Sequence, residues 1–477
     1  MSLTVVKNQD YVVTIEDMTV EGEGIGKVDG FPLFVKDTVI GDVARVKAIK
    51  VKKNYGYGRL MEVGSPSADR VEAACPVARQ CGGCTLQAMS YKAQLEFKRR
   101  KIEGNLRRIG GFTDLKVNEV MGMEDPWRYR NKAQVPFGVD RDGKTIAGFY
   151  AGRTHSIIEC EDCLLSPTVN AEIIRIVKGF MEEFHVSPYQ EETGKGIVRH
   201  LLIRNGFHTG QIMVCVVINR DFLPHSEKLV ERLLAVPGMT SICLNVNKEN
   251  TNVILGDRVL NLYGEGYLED KIGELMFRIS PLSFFQVNPR QTEKLYGAAL
   301  EFAGLNGNEI VWDLYCGIGT ISLFLAQKAK KVYGVEIVSA AIENARENAK
   351  RNRLENTEFF VGKAEEVLPE WYEAHGEKAD VIVVDPPRKG CDETLLDTIV
   401  AMEPKRVVYV SCDSATLARD LKYLVSRGYQ IEAVKGCDMF GWSGHVETVV
   451  LLKRLGNRKQ ARAAQTAEGL QTGTSHS

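Results

Sequence analysis

The chain has 477 residues, eleven cysteines and a formal net charge of −1, which allows about three domains of roughly 150 residues with ordinary hydrophobic cores. With no apolar signal segment over Met1–Tyr11 and no run near the roughly 18 apolar residues of a membrane span, the expectation is a cytoplasmic, membrane-free monomer whose cysteines are ligands, nucleophiles or packing rather than disulfides. The balanced charge excludes a global basic field, so any nucleic-acid contact must come from local patches.

Residues 1–65 read as a small antiparallel β-barrel. Short alternating stretches (Tyr11–Ile15, Phe34-Val35, Val43–Val46, Tyr57–Leu60) are separated by glycine turns at Glu21–Gly26 and Asp29-Gly30. The closing strands interleave Lys47, Lys50, Lys52, Lys53 and Arg59 with Tyr55 and Tyr57, as single-stranded nucleic-acid surfaces do; a purely structural cap is the plain alternative. With Asp29-Gly-Phe-Pro-Leu-Phe-Val35 and the strand after Gly41-Asp42, the pattern resembles the TRAM domain, an oligonucleotide-binding-type barrel attached to RNA-modifying enzymes.

Residues 66–282 read as an α+β recognition domain. It opens with Cys75, Cys81 and Cys84, separated by five and two residues around Gly82-Gly83, and Cys160 and Cys163 follow later. Such thiols can wrap a soft metal centre, since glycines let the backbone pass close and free amides to bond sulfur. A fourth thiolate is needed. Structural zinc usually takes two paired knuckles of closer spacing, so a [4Fe–4S] cluster is expected, and the three-cysteine loop that leaves one iron open in radical enzymes is missing. Lys92–Arg108 carries seven cations against Glu96 and Glu103, and Trp127–Gln134 is dense in cations and aromatics ahead of a strand. Strands are expected at Val198–Arg204, Gln211–Val217 and Ser241–Asn245, and helices at Val169–His185 and Ser226–Ala235. His200 and His208 have no metal spacing and read as ordinary residues.

Residues 283–455 read as an α/β domain. Ile310–Asp313 is a strand ending in an acid, followed by the turn Gly317-Ile-Gly319 and an apolar helix; a second strand ends in Glu336, 23 positions after Asp313. An acid there can take both ribose hydroxyls of a nucleoside that the glycines let approach. The turn departs from the dinucleotide pattern at its third glycine, which favours S-adenosylmethionine over a dehydrogenase cofactor. Two further apolar strands end in Asp385-Pro-Pro and, after Val407–Val410, in Ser411-Cys412-Asp413 ahead of a helix from Ser414; Glu447 opens the last strand. A cysteine at a strand end is placed for attack rather than packing. Paired with a carboxylate it suits one chemistry: thiolate addition to C6 of uracil makes C5 nucleophilic, and a base then removes the C5 proton. Amino-methylating enzymes that use Asp-Pro-Pro usually follow it with an aromatic, whereas Arg388 stands here; a non-enzymatic redox-sensing RNA binder is the rival from another class.

Phe284–Asn288 (FFQVN), DLYCGIGT, DPPRKG, SCDSATLARD and GHVET, in this order behind the cysteine motif and barrel, resemble the RNA uracil-C5 methyltransferases, and within them the 23S rRNA branch. SCDSAT stands where SCNPAT is commoner. The resemblance implies a Rossmann-like class I methyltransferase domain, Cys412 as nucleophile and Glu447 as proton acceptor. Gln286, Tyr315, Gly317, Gly319, Glu336 and Asp385 would surround the methyl donor, with Asp385 and Phe284 also at the flipped uridine. It further implies Cys75, Cys81, Cys84 and Cys163 as cluster ligands, with Cys160 the alternative fourth, and 23S rRNA as partner. A basic helix pair at Leu86–Gly111 would pack on the catalytic domain. The tail, residues 456–477, is poor in large apolar residues and reads as disordered.

Overall fold

The computed structural model describes residues 5–160 and 162–456, so the expected disordered tail, Gly456 aside, lies outside the described residues. Strands β1 (Asp10–Met18), β2 (Gly24–Val28), β3 (Phe31–Val35), β4 (Val43–Val51) and β5 (Gly56–Ser65) close into a barrel in the order β1-β2-β3-β5-β4. Alternate residues point inward: Val13, Ile15, Leu33, Val35, Ala44 and Val46 are at most 2% exposed. The closure of β3 on β5 is parallel, unlike the all-antiparallel barrel expected, because a two-residue period marks the buried face and says nothing of strand direction.

The cation-rich run forms one helix, α1 (Tyr91–Arg108), not a pair. Ser90 caps its start, with Oγ accepting from the Ala93 amide at 3.3 Å, and Gly110-Gly111, the latter at φ +80°, turns the chain away afterwards. α1 leaves its own domain and packs on the catalytic one: Ile102 and Leu106 share a core with Leu417, Leu421 and Val434.

The central domain is a seven-stranded sheet of β6 (Lys132–Val139), β7 (Thr145–Tyr150), β8 (Ile157–Glu159), β9 (Val198–Asn205), β10 (Ile212–Ile218), β11 (Met239–Val246) and β12 (Arg258–Tyr263). Helices α2 (Val169–Glu183) and α3 (Ser226–Leu233) cover one face through Ile173, Val177, Leu229 and Leu233. Every residue of β9 and β10 is buried, the mark of central strands covered on both faces.

The hairpin β13 (Leu268–Ile272) and β14 (Leu275–Ile279) belongs to the catalytic core through Leu268, Ile272 and Phe277, so the chain enters that core ahead of residue 283. Asn348 and Asn352 accept from the Arg278 and Met276 amides at 3.0 and 2.8 Å, satisfying the hairpin's free edge. Then follow α4 (Pro289–Ala303), β15 (Ile310–Leu314), α5 (Thr320–Ala326), β16 (Lys331–Glu336), α6 (Ser339–Arg351), β17 (Thr357–Val361) and α7 (Ala364–His375). The chain ends in β18 (Val381–Val384), α8 (Glu393–Met402), β19 (Arg406–Ser411), α9 (Ser414–Ser426), β20 (Tyr429–Cys437) and β21 (Glu447–Arg454). The sheet order is β17-β16-β15-β18-β19-β21-β20, with β21 antiparallel to both neighbours and the other neighbouring pairs parallel. Strand order reverses between β15 and β18, where doubly wound sheets open a crevice at their carboxyl ends.

Candidate active site

That crevice is a cavity of about 610 Å³ lined by Phe284, Tyr315, Gly317, Glu336 and Asp385 among others. Phe284 stands 69% exposed beside it. Gln286 is buried and does not itself line the cavity; Tyr296, whose hydroxyl bonds Thr320 Oγ1 at 3.1 Å, is a lining residue that no motif marked. Gly317 and Gly319 both take left-handed φ, +53° and +84°. A Cβ on Gly317 would meet only open space, whereas one on Gly319 would come within 3.2 Å of Ala345 Cβ on α6. The first glycine keeps the cavity open and the second lets α5 and α6 close up. Tyr315 holds φ +143°, a conformation that non-glycine residues keep only where the surroundings impose it. Glu336 accepts from the Gly317 amide at 3.3 Å and the Val338 amide at 3.0 Å, which aims its carboxylate along the crevice. Asp313 is fully buried beneath the turn, bonded by Ser322 Oγ at 2.6 Å, and burial pushes its pKa up to about 7.

The second group sits at the ends of β18, β19 and β21. Antiparallel pairing of Ser411 with Thr448 sets Cys412, one step beyond β19, beside Glu447, the first residue of β21. Cys412 is half-buried; burial, then the Glu447 and Asp385 carboxylates, push its thiol up to about 11, against the opposing pull of Arg388. Glu447 is buried, and desolvation followed by Asp385 raises it to about 8. Desolvation alone raises Asp385 to about 6. Three acidic groups thus crowd one water-poor edge, each shifted toward its neutral form.

The loop carrying Cys412 is stiff. Asp413 caps α9, accepting from the Ala415 and Thr416 amides at 2.8 and 3.3 Å, so the departure from the commoner motif keeps the helix start anchored. Farther along α9, Arg419 donates to the Lys389 and Cys391 carbonyls at 2.9 and 3.1 Å, and Asp420 accepts from the Cys391 amide at 2.9 Å and the Tyr409 hydroxyl at 2.6 Å. These residues bolt the Asp385-Pro-Pro loop to the cysteine helix.

Known proteins match both halves of this arrangement. A family model described as tRNA (Uracil-5-)-methyltransferase matches residues 262–455, and one for the TRAM domain matches residues 5–61. An uncharacterised RNA methyltransferase of Halalkalibacterium halodurans is 53% identical over 448 residues, covering 94% of this chain and 97% of its own. Another from Clostridium acetobutylicum is 51% identical over 456 residues, covering 95% and 99%. The crystal structure of the Pyrococcus abyssi tRNA (uracil-54, C5)-methyltransferase in complex with S-adenosyl-L-homocysteine superposes with a TM-score of 0.75 at 28% identity, covering 93% of this chain and 100% of that one. The chain belongs to the RNA uracil-5-methyltransferase family. It is a TRAM-bearing enzyme that methylates RNA uracil at C5 with S-adenosylmethionine as donor.

In this methyltransferase the thiols of the cysteine motif gather at one corner. Burial first, and then the neighbouring Cys163, Cys75 and Cys81, push Cys84 and Cys160 up to about 12, and Cys81 is raised by burial and by Cys163 and Cys75. Cys163 is the strongest sulfur influence on all three. Burial is the largest cause in each case, so these thiols rest neutral, and sulfur is the soft donor type that an iron–sulfur or zinc centre uses. Among the described residues no three His, Cys, Asp or Glu side chains form a group that could hold a metal ion, and the expected cluster is therefore not shown. His200 is packed as expected, desolvated to about 4 and bonded to the Tyr150 hydroxyl at 3.2 Å. No helix among the described residues is long and apolar enough to cross a membrane.

One supporting pair had no signal in the sequence. Lys98 of α1 and Asp438 after β20 are both fully buried and meet at 2.5 Å, with the Tyr91 hydroxyl donating to the other Asp438 oxygen at 2.7 Å. A lysine in a cation run reads as solvated, so nothing in that run marks Lys98 as buried.

Proposed function

We propose that this methyltransferase modifies uridine in 23S rRNA through a covalent adduct on Cys412. The observation that carries the reading is the pairing that sets Cys412 beside Glu447 with Asp385 at the next strand end. Cys412 Sγ adds to C6 and the C5=C6 electrons pass toward the C4 carbonyl as an enolate. C5 then takes the methyl group and S-adenosylhomocysteine departs. Glu447 accepts the C5 proton, C5=C6 re-forms and the thiolate leaves. The sulfonium of the donor supplies positive charge to an edge where three acids stand raised, favouring the ionised thiol and carboxylate that these steps need. Asp385 and Gln286 would hold the polar edges of base and donor, Glu336 the ribose, Tyr315 and the two glycines the donor's adenosyl and methionyl parts, and Phe284 the face of the flipped uracil.

RNA would be gripped ahead of the active site. A cavity of about 620 Å³ where the barrel meets the central domain is lined by Phe34, Tyr57, Lys36, Lys50, Arg59 and Arg153. Phe34, Tyr55 and Tyr57 cluster there at 5.5–5.8 Å between ring centroids, a stacking platform edged with cations. Cys75, Cys81, Cys84 and Cys163 are the thiols we assign to a [4Fe–4S] cluster; ligated at every iron it would be a closed knot that orders the corner rather than a redox centre open to substrate. The enzyme is read as a cytoplasmic monomer.

The 23S assignment rests on resemblance to that branch. The second reading is tRNA, favoured by the Pyrococcus abyssi neighbour, whose substrate is tRNA and whose fold matches over nearly the whole chain. Incubation with labelled S-adenosylmethionine and separate unmodified 23S rRNA and tRNA, followed by mapping of 5-methyluridine, decides between them. Label in tRNA alone overturns the rRNA assignment, and label on adenine or guanine overturns the chemistry. Iron content of about four per chain with visible charge-transfer absorption tests the cluster.

A further inference from the structure

β20 and β21 are antiparallel neighbours, yet no tight turn joins them. Nine residues, Asp438–Val446, strap across the molecule between them and deliver Glu447. At the middle of this strap Trp442 holds φ +65°, a left-handed conformation that costs a bulky residue roughly 1–3 kcal/mol and persists only where the surroundings over-determine it. They do so here. The Trp442 carbonyl accepts from the Thr85 and Leu86 amides at 2.9 and 3.1 Å, its amide donates to Gln94 Oε1 at 3.1 Å, and Nε1 donates to the Pro126 carbonyl at 2.9 Å. The ring lies stacked on Trp127, 4.2 Å between centroids at 19°, in an apolar cluster that also takes in Cys84 and Cys163. Two residues on, a Cβ at Gly444 would fall 2.2 Å from the Val20 carbonyl of the barrel, and the Gly444 carbonyl takes Lys101 Nζ at 2.8 Å.

We propose that Trp442 is a positioning residue for Glu447, clamped by Trp127 and the cysteine corner, and that this clamp governs removal of the C5 proton and not the methyl transfer before it. The inference rests on the reading of Glu447 as the base. The loop after Asp385 is tied to α9 by Arg419 and Asp420 through Lys389 and Cys391, and Cys412 stands just ahead of the Asp413 cap of that helix, whereas Glu447, at the first rung of β21 opposite Cys437, is the reacting group at which the strap joins the sheet. Loosening the strap therefore displaces the acceptor of the C5 proton while thiolate and donor keep their places. The stalled species is the methylated adduct: the C5–H electron pair stays in its bond, so C5=C6 does not re-form and the C6–S bond does not return its electrons to sulfur. A misplacement of about 1 Å at such a group slows its step by as much as about 100-fold.

The test is a single-turnover experiment on the full chain, using whichever unmodified rRNA or tRNA transcript the parent enzyme methylates, labelled with tritium at uridine C5, and a methyl donor carrying a different label. Trp127→Leu is expected to transfer methyl within about twofold of the parent rate while tritium release and decay of the protein–RNA adduct on a denaturing gel slow by about 10-fold or more. Trp127→Phe, which restores an aromatic face, should recover most of the loss. Equal slowing of methyl transfer and adduct decay overturns the proposal, as does adduct decay at the parent rate. If Trp127→Leu does not fold, Trp442→Leu, which removes the other face of the stack, gives the same comparison. Glu447→Gln run alongside separates the two failures. Parent-like release by Glu447→Gln removes the base and with it this inference, while a stall in Glu447→Gln without one in Trp127→Leu removes the clamp alone.

Discussion

The donor crevice and the strap that delivers Glu447 are both functional walls of one domain, and they are built in opposite ways. The crevice is local: Asp313, Gly317, Gly319 and Glu336 come from one strand–turn–helix–strand unit, and its bonds run within that unit, from Ser322 to Asp313 and from the Gly317 amide to Glu336. The strap is assembled from afar, with Lys98 and Tyr91 reaching Asp438 across 340 and 347 positions of chain. A local unit can carry a cofactor between folds unaided. A strap of this kind makes the last step of catalysis depend on the packing of a different domain.

The largest effect expected is at the residue both walls serve. Cys412→Ala should lose turnover by at least about 10⁴-fold, the scale seen when a nucleophile is removed, while donor affinity measured by calorimetry stays within a few-fold of the parent because the crevice does not include the thiol. Turnover at the parent level would move the chemistry away from the covalent route. On the strap side, Lys98→Met should destabilise the protein by about 3–5 kcal/mol in denaturant unfolding, since it strands the Asp438 carboxylate without its buried cation. A double replacement, Lys98→Met with Asp438→Leu, should recover much of that loss. If the single variant is as stable as the parent, the pair is not what holds α1 to the catalytic domain.

Legibility divided along the same line. The barrel, the sheet strands, the glycine turn and the four strand-end residues Glu336, Asp385, Cys412 and Glu447 could be read because each is marked by a short-range pattern: alternation, an apolar run, a turn and an acid at its end. The parallel closure of β3 on β5 could not, because alternation carries no direction. The hairpin at 268–279 was assigned to the wrong side of the boundary because its period-2 pattern suits either sheet, and only the packing of Leu268 and Phe277 decides. Arg419 and Asp420 were visible as motif letters without a role, since the loop they hold lies 28 to 30 residues away. Lys98 was read as one more surface cation. Nothing in a sequence separates a lysine that will be solvated from one that will meet an aspartate 340 positions later.

Glu447 offers a titration that tells the two walls apart. Its folded-state pKa of about 8 lies above the ordinary 4.5 because burial penalises the carboxylate. The folded protein therefore binds a proton more tightly than the unfolded chain, and this group's contribution to stability is favourable below about pH 4.5 and is lost as pH rises toward 8. Glu447→Gln, which cannot ionise, should accordingly be more stable than the parent at pH 8, by on the order of 1–3 kcal/mol, and the advantage should shrink to nothing as pH falls toward 4.5. Adduct breakdown in the parent should speed up over the same interval, as the base ionises. A stability difference independent of pH would mean that Glu447 stays ionised in the folded protein.

The smallest effects sharpen the crevice itself, through two glycines that look alike in sequence. Gly317→Ala and Gly319→Ala both force an alanine into left-handed backbone, at about 1–2 kcal/mol each. They should part company in what else they lose. The new methyl at Gly319 crowds Ala345 at 3.2 Å, so the added cost falls on the packing of α5 against α6 and shows as a further drop in melting temperature. At Gly317 the methyl points into open space on the cavity side, so stability falls only by the backbone cost while affinity for S-adenosylhomocysteine drops by about 10-fold, the equivalent of about 1.4 kcal/mol. Equal losses of affinity in the two variants would mean that both glycines serve the turn's shape and that neither is needed for close approach of the ligand.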